Sequence, residues 1–447
     1  MNFRTAAHGR CWQLRAAGAV VVGMLALSLA ACSSGGGGAT SKSAGPVTLQ
    51  FWTWSLKGTD PKAEAIIKKY EDANPGVTIK LSEVGGTPDT SSKLLAADRA
   101  GGTPDIVQVE YYGLASLVTA GAVRDITTNV AGVKSGIDDN IWALTTIDHH
   151  VYGVPQDIGP MTITYRADLF AKYGVKVPTT WAEYAAAAQK IHAADPSVYI
   201  AAFDPTAFSF YASQAAQAGA KWWTTTGKAW TVGIDGEASM KVADFWQDLV
   251  DRGLVKVEPL LTPQWNAEVN AGKILSWSAA AWAPSVIYGV APATASKWAS
   301  APLPAWKAGD ASVPFLGGST YIVPQKSKHA AEATKFAAWL GATDEGSKLL
   351  LSLDLYPAGN GGRKATLTQH PPLLMPQQAD FYKIADQVIK NTTVPIMWGP
   401  NVNLAQSTFS DAMSAAAQNK TPFRGAFTAA QKAVVADLTK SGYTVSP

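Results

Sequence analysis

The feature that most limits the fold is a strand, a helix and a second strand packed into residues 47–81. Val47 to Trp54 is β-branched and aromatic with partial alternation, the pattern of a half-buried strand. Asp60-Pro61 follows, a capping residue and then a proline where the first helical N–H needs no partner, so a helix is predicted to start there. Ala63, Ile66, Ile67 and Tyr70 fall at i, i+3, i+4 and i+7 on one face, and Asn74-Pro75-Gly76 ends the run. Val77, Ile79 and Leu81 then alternate as a strand. A β-α-β unit points to a parallel sheet covered by helices.

The same patterning continues along the chain. Pro104 to Val109 reads as a further short strand whose end delivers Glu110, Tyr111 and Tyr112 to the carboxyl edge of the sheet, where open α/β sheets bind ligands. Thr180-Trp181-Ala182-Glu183 is a capping box that opens a helix to about Ala194, with Tyr184, Ala187, Ala188 and Ile191 on one side. Trp181, in its first turn, is assigned to the core. Lys328 to Leu340 repeats the helical period through Ala333, Phe336, Ala337 and Leu340, with Gly341 as its stop. No period of 20 to 50 residues recurs, which argues against a solenoid. The 447 residues, 47% of them hydrophobic, can fill sizeable cores and imply two α/β units.

Ahead of residue 47 the chain reads as an address. Arg4, Arg10 and Arg15 precede an uncharged run from Ala16 to Ala31, shorter than the roughly 20 apolar residues that span a bilayer. The run ends at Leu29-Ala30-Ala31-Cys32, which resembles the lipobox of bacterial lipoproteins, in which the Cys is lipidated and becomes the new N-terminus. Residues 1–31 are therefore expected to be a signal peptide and Cys32 the lipid anchor. With Cys11 in the cleaved part, the folded body has no thiol and no disulfide. Residues 32–46 are Gly/Ser-rich and form a tether with a reach of about 20 Å. An extracytoplasmic, membrane-anchored protein is expected.

Charge narrows the partners. The chain carries 37 Lys+Arg and 34 Asp+Glu, and the leader arginines account for the whole excess of three. A balanced body excludes nucleic acid and an anionic membrane surface as the main partner. The unusual component is aromatic, with 16 Trp against 14 Tyr and 13 Phe.

Several segments, in order, resemble the extracellular solute-binding proteins of ABC importers, in particular the carbohydrate-binding class that includes the maltose-binding protein. They are Tyr70 to Gly76, Thr103-Pro104-Asp105-Ile106-Val107, then Tyr152-Gly153-Val154-Pro155, Thr164 to Phe170 and Pro178-Thr179-Thr180-Trp181, then Gly272-Lys273-Ile274 with Trp282, and Gly317-Gly318. Arg166 stands where the family usually has Asn, which leaves sugar specificity open. The resemblance implies the two-lobe periplasmic-binding-protein fold, each lobe a sheet flanked by helices, with an interlobe hinge and the ligand between the lobes. Lobe 1 would comprise residues 47–156 and 303–346, and lobe 2 residues 157–302 and 347–447, with crossings near Asp157, Pro302 and Gly346. The implied partners are a sugar or oligosaccharide and a pair of permease subunits with their ATPases; a monomer is expected.

A sugar presents an apolar C–H face and a rim of hydroxyls, so its site needs aromatic platforms with carboxylates and amides. Trp54, at the end of the first strand, and Trp282, at the family's Trp position, are the leading platforms, followed by Trp398 and Trp277. Glu110 follows a buried strand directly and Asp157 lies at the expected crossing; a carboxylate accepting hydroxyls makes the stronger, charge-assisted contact. Lys57 lies where the family often places a polar contact, and Tyr111, Tyr211 and Asn401 complete the candidates. Against each stands an ordinary role, core packing for the aromatics and a solvated surface for the charges.

An enzyme reading finds little support. G-x-S-x-G, H-E-x-x-H and the phosphate-loop pattern are missing. His149-His150 has no third metal ligand at useful spacing, and Gly359 to Arg363 reads as a loop at the cleft rim. No catalytic residue, metal or cofactor is expected. Two readings compete: a lipid-anchored glycoside hydrolase, which two carboxylates could serve, and a binding protein for a non-sugar solute. An anionic solute would call for clustered arginines, and beyond Arg166 and Arg363 the sequence offers few, so a neutral polyol is preferred.

Overall fold

The computed structural model describes residues 45–446 apart from 227–228, 311–313, 354 and 393–395. The signal peptide, Cys32 and all but the end of the tether lie outside the described residues. No helix among the described residues is long and apolar enough to cross a membrane.

The predicted opening unit forms. The strand Val47–Thr53 pairs in parallel with Val77–Glu83, Val47 opposite Val77 and Thr53 opposite Glu83. Between them runs the helix Pro61–Ala73, capped by the Asp60 side chain, which accepts from the Lys62 N–H, and burying Ala63, Ile66, Ile67 and Tyr70. The strand Ile106–Glu110 adds in parallel on the other side, Phe51 opposite Ile106. Ser319–Ile322 then adds antiparallel to Ile106–Glu110, and Val154–Pro155, antiparallel to Ser319–Ile322, completes the sheet. The second sheet is antiparallel throughout, with Met161–Arg166 between Ser276–Ala280 and Trp298–Pro302.

Each sheet has its own core. Around the first gather Phe51, Ile106, Tyr321 and Phe336; around the second, Ile163, Trp181, Trp246 and Phe409. Trp181 is 1% exposed, and its indole N–H donates to Gln217 at 2.9 Å, the core role expected of it. Its helix, Trp181–Ala194, carries the full capping box between Thr180 and Glu183.

Three segments lie side by side between the sheets. The Leu316 N–H donates to the Gly159 oxygen at 2.8 Å, and Pro160 bridges Phe315. Asp157 bridges Pro357, with the Ala358 N–H donating to the Gln156 oxygen. A return near Pro302 and a further crossing near Gly346 do not match this packing. Leu303 belongs to the second core and Trp306 packs against it, whereas Leu350, Tyr356 and Ala358 belong to the first. The segments that lie beside residues 156–160 are 315–316 and 356–358, and the strand Trp298–Pro302 stays with its partner Met161–Arg166.

Two local expectations also change. Gly341 does not stop its helix, which spans Ala330–Ala342. A Cβ there would lie 2.5 Å from the Pro155 oxygen, so the glycine lets the helix approach the strand Val154–Pro155. Gly359 to Arg363 is not a rim loop but opens the helix Asn360–Thr366, with Gly361 against Asp344 and Gly362 against Pro357.

Candidate ligand-binding site

A cavity of about 510 Å³ opens between the two cores. From the first sheet come Glu110, Tyr111 and Tyr112, placed by the strand Ile106–Glu110 turning directly into the helix Tyr111–Thr119, with Glu110 opposite Ser319. The returning segment contributes Phe315, Leu316 and Gly317. From the second sheet come Trp277 and Ser278, and just after that strand Trp282. The helix Phe208–Gln217 brings Phe208, Phe210 and Tyr211, and Trp398 and Gln406 line the remaining side.

The rings form two groups. Trp277 is edge-on to both Trp265 behind it and Trp282, each at 5.3 Å between centroids. Trp398 meets Phe208 at 6.0 Å and Tyr112 at 6.2 Å, and all three rings pack with the second core. Edge-on packing holds each ring by its neighbours, so the indole platforms are fixed before any ligand arrives.

Polar groups sit among these rings. The Tyr112 hydroxyl hydrogen-bonds the Glu110 carboxylate, and burial, reinforced by that negative charge, pushes its pKa well above the usual tyrosine range. The Tyr111 hydroxyl donates to the main-chain oxygen of Asp157 at 2.9 Å; burial raises its pKa too. Tyr211 donates to the main-chain oxygen of Asp204 at 2.8 Å. The Asp204 carboxylate accepts from the N–H and hydroxyl of Thr206 and, at 3.1 Å, from the Leu260 N–H.

Of the residues expected from sequence, Glu110, Tyr111, Tyr211, Trp277, Trp282 and Trp398 line this cavity, and Trp54, Lys57, Asp157 and Asn401 do not. Trp54 is half-buried at the end of its strand, where its main-chain N–H donates to Gln108. Lys57 is exposed and pairs with Glu83 at 3.6 Å. Asn401 donates to the Val434 oxygen and the Asp437 carboxylate, both at 3.0 Å, and so ties two helices together. Asp157 lies behind the wall, its carboxylate accepting the Ser319 N–H at 2.9 Å. Burial pushes its pKa up to about 7, with the charge of Glu110 adding to the effect and the Ser319 N–H opposing it. Sequence reading missed Phe208 and Phe210 as cavity residues: an aromatic helix start has the same pattern whether it faces a core or a cavity. Among the described residues no group of three or more His, Cys, Asp or Glu could hold a metal ion.

Comparison with known proteins agrees with this architecture. The sequence profile described as "Bacterial extracellular solute-binding protein" matches residues 53–346. The arabinooligosaccharide-binding protein of Bacillus subtilis (strain 168) is 25% identical over 347 residues, 75% of this chain and 77% of that protein. The maltooligosaccharide ABC transporter solute-binding lipoprotein of Streptococcus pneumoniae (strain R6) is 27% identical over 357 residues, 76% and 80% of the two chains. Among solved structures, the galacto-N-biose-/lacto-N-biose I-binding protein of the ABC transporter from Bifidobacterium longum, in complex with lacto-N-biose, superposes with a TM-score of 0.80 at 25% identity, covering 91% of this chain and 100% of that one. The ABC transporter associated binding protein from B. animalis subsp. lactis Bl-04, in complex with beta-1,6-galactobiose, gives 0.77 at 27% identity, covering 90% and 99%. The two-lobe fold expected from the sequence is the fold of these structures, and all four are binding proteins.

Proposed function

The chain belongs to the bacterial extracellular solute-binding proteins, and from that membership we propose that it captures a sugar or oligosaccharide in the cavity between its lobes and delivers it to an ABC permease. The observation that carries this reading is the cavity's lining, in which Trp277, Trp282 and Trp398 stand around a space of about 510 Å³ that Glu110 also lines. Indole faces suit the C–H faces of sugar rings, and a carboxylate accepts their hydroxyls. The relatives' names and bound ligands, arabino- and maltooligosaccharides, lacto-N-biose and galactobiose, support the same class.

The protein works as a hinge. One lobe holds Glu110 and Tyr111, the other Trp277 and Trp282, and a ligand that touches both favours the closed form by its differential affinity. In this reading residues 47–158 with 315–358 make one lobe and residues 161–303 with 398–446 the other, while Leu374, Met375 and Phe381 cluster with Trp265, Trp277 and Trp298 of the second. The ligand leaves unaltered. A glycosidase needs two carboxylates free to act on the bond, and of the two that line the cavity Asp204 is held by Thr206 and Leu260. Cys32 anchors the chain as a monomer to the outer face of the membrane, as the lipobox resemblance and the lipoprotein relative suggest. The closed lobes are what the permease subunits recognise.

Thermal-shift and calorimetric titration against mono- and oligosaccharides test the reading: a sugar should raise the melting temperature and return unhydrolysed. Hydrolysis on incubation, or no response to any sugar, would overturn it. Cys32→Ser should release the protein from cells into the medium.

A further inference from the structure

Resting on the sugar-capture reading above, we infer that Leu261 covers an apolar substituent of the captured sugar, so that the cavity selects glycosides carrying an alkyl or aryl group over the bare sugar. Two independent features meet at this one residue. The first is backbone conformation. Among the described residues, five other than glycine have positive φ: Asp148, His149, Ser296, Lys420 and Leu261. Four are polar, and Leu261, at +61°, is the aliphatic one. In the left-handed region Cβ crowds the following carbonyl oxygen, which glycine avoids and asparagine or aspartate tolerates. A leucine there is unfavourable for the backbone, and residues held in such conformations gather at ligand clamps.

The second feature is exposure. Of the large hydrophobic side chains that face solvent among the described residues, Leu261, 53% exposed, is the one that also lines the cavity. The turn that carries it is pinned on both sides. The Leu260 N–H donates to the Asp204 carboxylate at 3.1 Å, and the Thr262 hydroxyl accepts the Trp265 N–H to cap the helix Pro263–Asn270. Neither tie uses the Leu261 side chain, which is left half in solvent on the cavity wall.

Its neighbours indicate what it covers. Leu260, Leu316 and Trp282 pack on one cluster with Trp265 and Trp277, and Leu260, Leu316, Trp277 and Trp282 also line the cavity. Leucine methyls offer neither donor nor acceptor, so a hydroxyl pressed against Leu261 loses water and gains no partner there. An alkyl or aryl group makes no such demand, and it buries its own apolar surface together with that of the leucine. The sugar part keeps polar groups to bond with, since Glu110, Ser278 and Gln406 line the same cavity.

The test compares methyl, hexyl and phenyl glycosides of glucose, galactose, arabinose, maltose and cellobiose, in both anomers, so that each set differs only in the aglycone. Dissociation constants are measured by calorimetry on the purified protein. At least one sugar should bind about tenfold or more tightly as its hexyl or phenyl glycoside than as its methyl glycoside. In Leu261→Asn, which suits the same φ, that ratio should fall by about threefold or more, and the melting temperature of the empty protein should hold or rise as the strain is relieved. Leu261→Gly, which also suits that φ, gives a second reading of the ratio. Ratios near one for every sugar, or a high ratio unmoved in both variants, would overturn the inference and leave sugar capture standing. So would a lower melting temperature in empty Leu261→Asn, which would assign the leucine to holding its own loop. Binding of a bare sugar with no response to any hexyl or phenyl glycoside would overturn it too. Failure of every glycoside and every bare sugar would instead sink the capture reading itself.

Discussion

The Tyr111 hydroxyl donates to the main-chain oxygen of Asp157 at 2.9 Å, so a ring on the cavity wall is tied to the first segment that passes between the two sheets. Around that contact the three passages are laced together. The Asp157 carboxylate takes the Ser319 N–H, the Gln156 N–H donates to the Ser319 oxygen, and the Ile158 N–H donates to the Tyr356 oxygen. A ligand that presses on Tyr111 thus presses on the segments about which the lobes must turn.

Tyr111→Phe keeps the ring and removes the tie. A buried carbonyl left without its donor costs about 1–2 kcal/mol, so the melting temperature of the free protein should fall measurably. Circular dichroism melts of the two proteins at one pH check this, and an unchanged curve would show that the hydroxyl contributes nothing to the hinge.

Asp157 should make stability depend on pH in a defined direction. Its folded pKa, pushed up to about 7 from 3.8, means that the native state keeps a proton which the unfolded chain releases. The favourable contribution of the protonated form is whole below about pH 4 and is lost as the pH rises through about 7. Asparagine cannot ionise and still offers an oxygen to the Ser319 N–H. Asp157→Asn should therefore match the wild type at pH 4 and exceed it progressively up to pH 8, by as much as about 4 kcal/mol. Denaturant melts at pH 4, 6 and 8 give the difference; a gap that does not widen with pH would place the charged form in comfort.

Gly318 should not accept a side chain. Its φ is +93°, and a Cβ would lie 2.8 Å from both the Asp157 oxygen and Cε2 of Tyr111. Gly442 has a similar φ of +84° with open space around it. Gly442→Ala should cost about 1 kcal/mol of backbone strain, and Gly318→Ala clearly more, because the hinge contact must also give way. Equal losses on thermal melting would mean that the crowding at Gly318 is relieved without cost.

Much of the scaffold was legible because local rules and tertiary packing agree there. Asp60-Pro61 starts a helix whose i, i+3, i+4, i+7 residues are all buried, and Thr180 and Glu183 cap as their spacing predicts. The cavity was legible only where an element's end fixes a direction. Glu110 and Tyr111 reach it because a strand ends and a helix begins between them. Trp54 also ends a strand, but Gln108 gathers the turn after that strand by accepting from Thr53, Trp54 and Ser55, and this contact between strands has no mark in the local sequence. Asn401 and Gly341 show the same gap: an amide and a glycine, read as ligand contact and helix stop, serve helix–helix and helix–strand approaches set by residues far away in the chain.

Trp282 and Trp54 offer the sharpest contrast between position in sequence and position in space. Trp282 lines the cavity, half-buried, with its ring held edge-on by Trp277, and Trp54 does not line it. Trp282→Ala removes a platform whose stacking on a sugar ring is worth about 1–3 kcal/mol, so affinity should fall by roughly five- to 150-fold. The fold should survive, because Trp277 keeps its contact with Trp265. Trp54→Ala should leave affinity within about twofold. Calorimetric titration of both variants with whichever sugar the wild type binds decides the matter. A large loss in Trp54→Ala with none in Trp282→Ala would move the binding surface to the end of the first strand and overturn the assignment of this cavity.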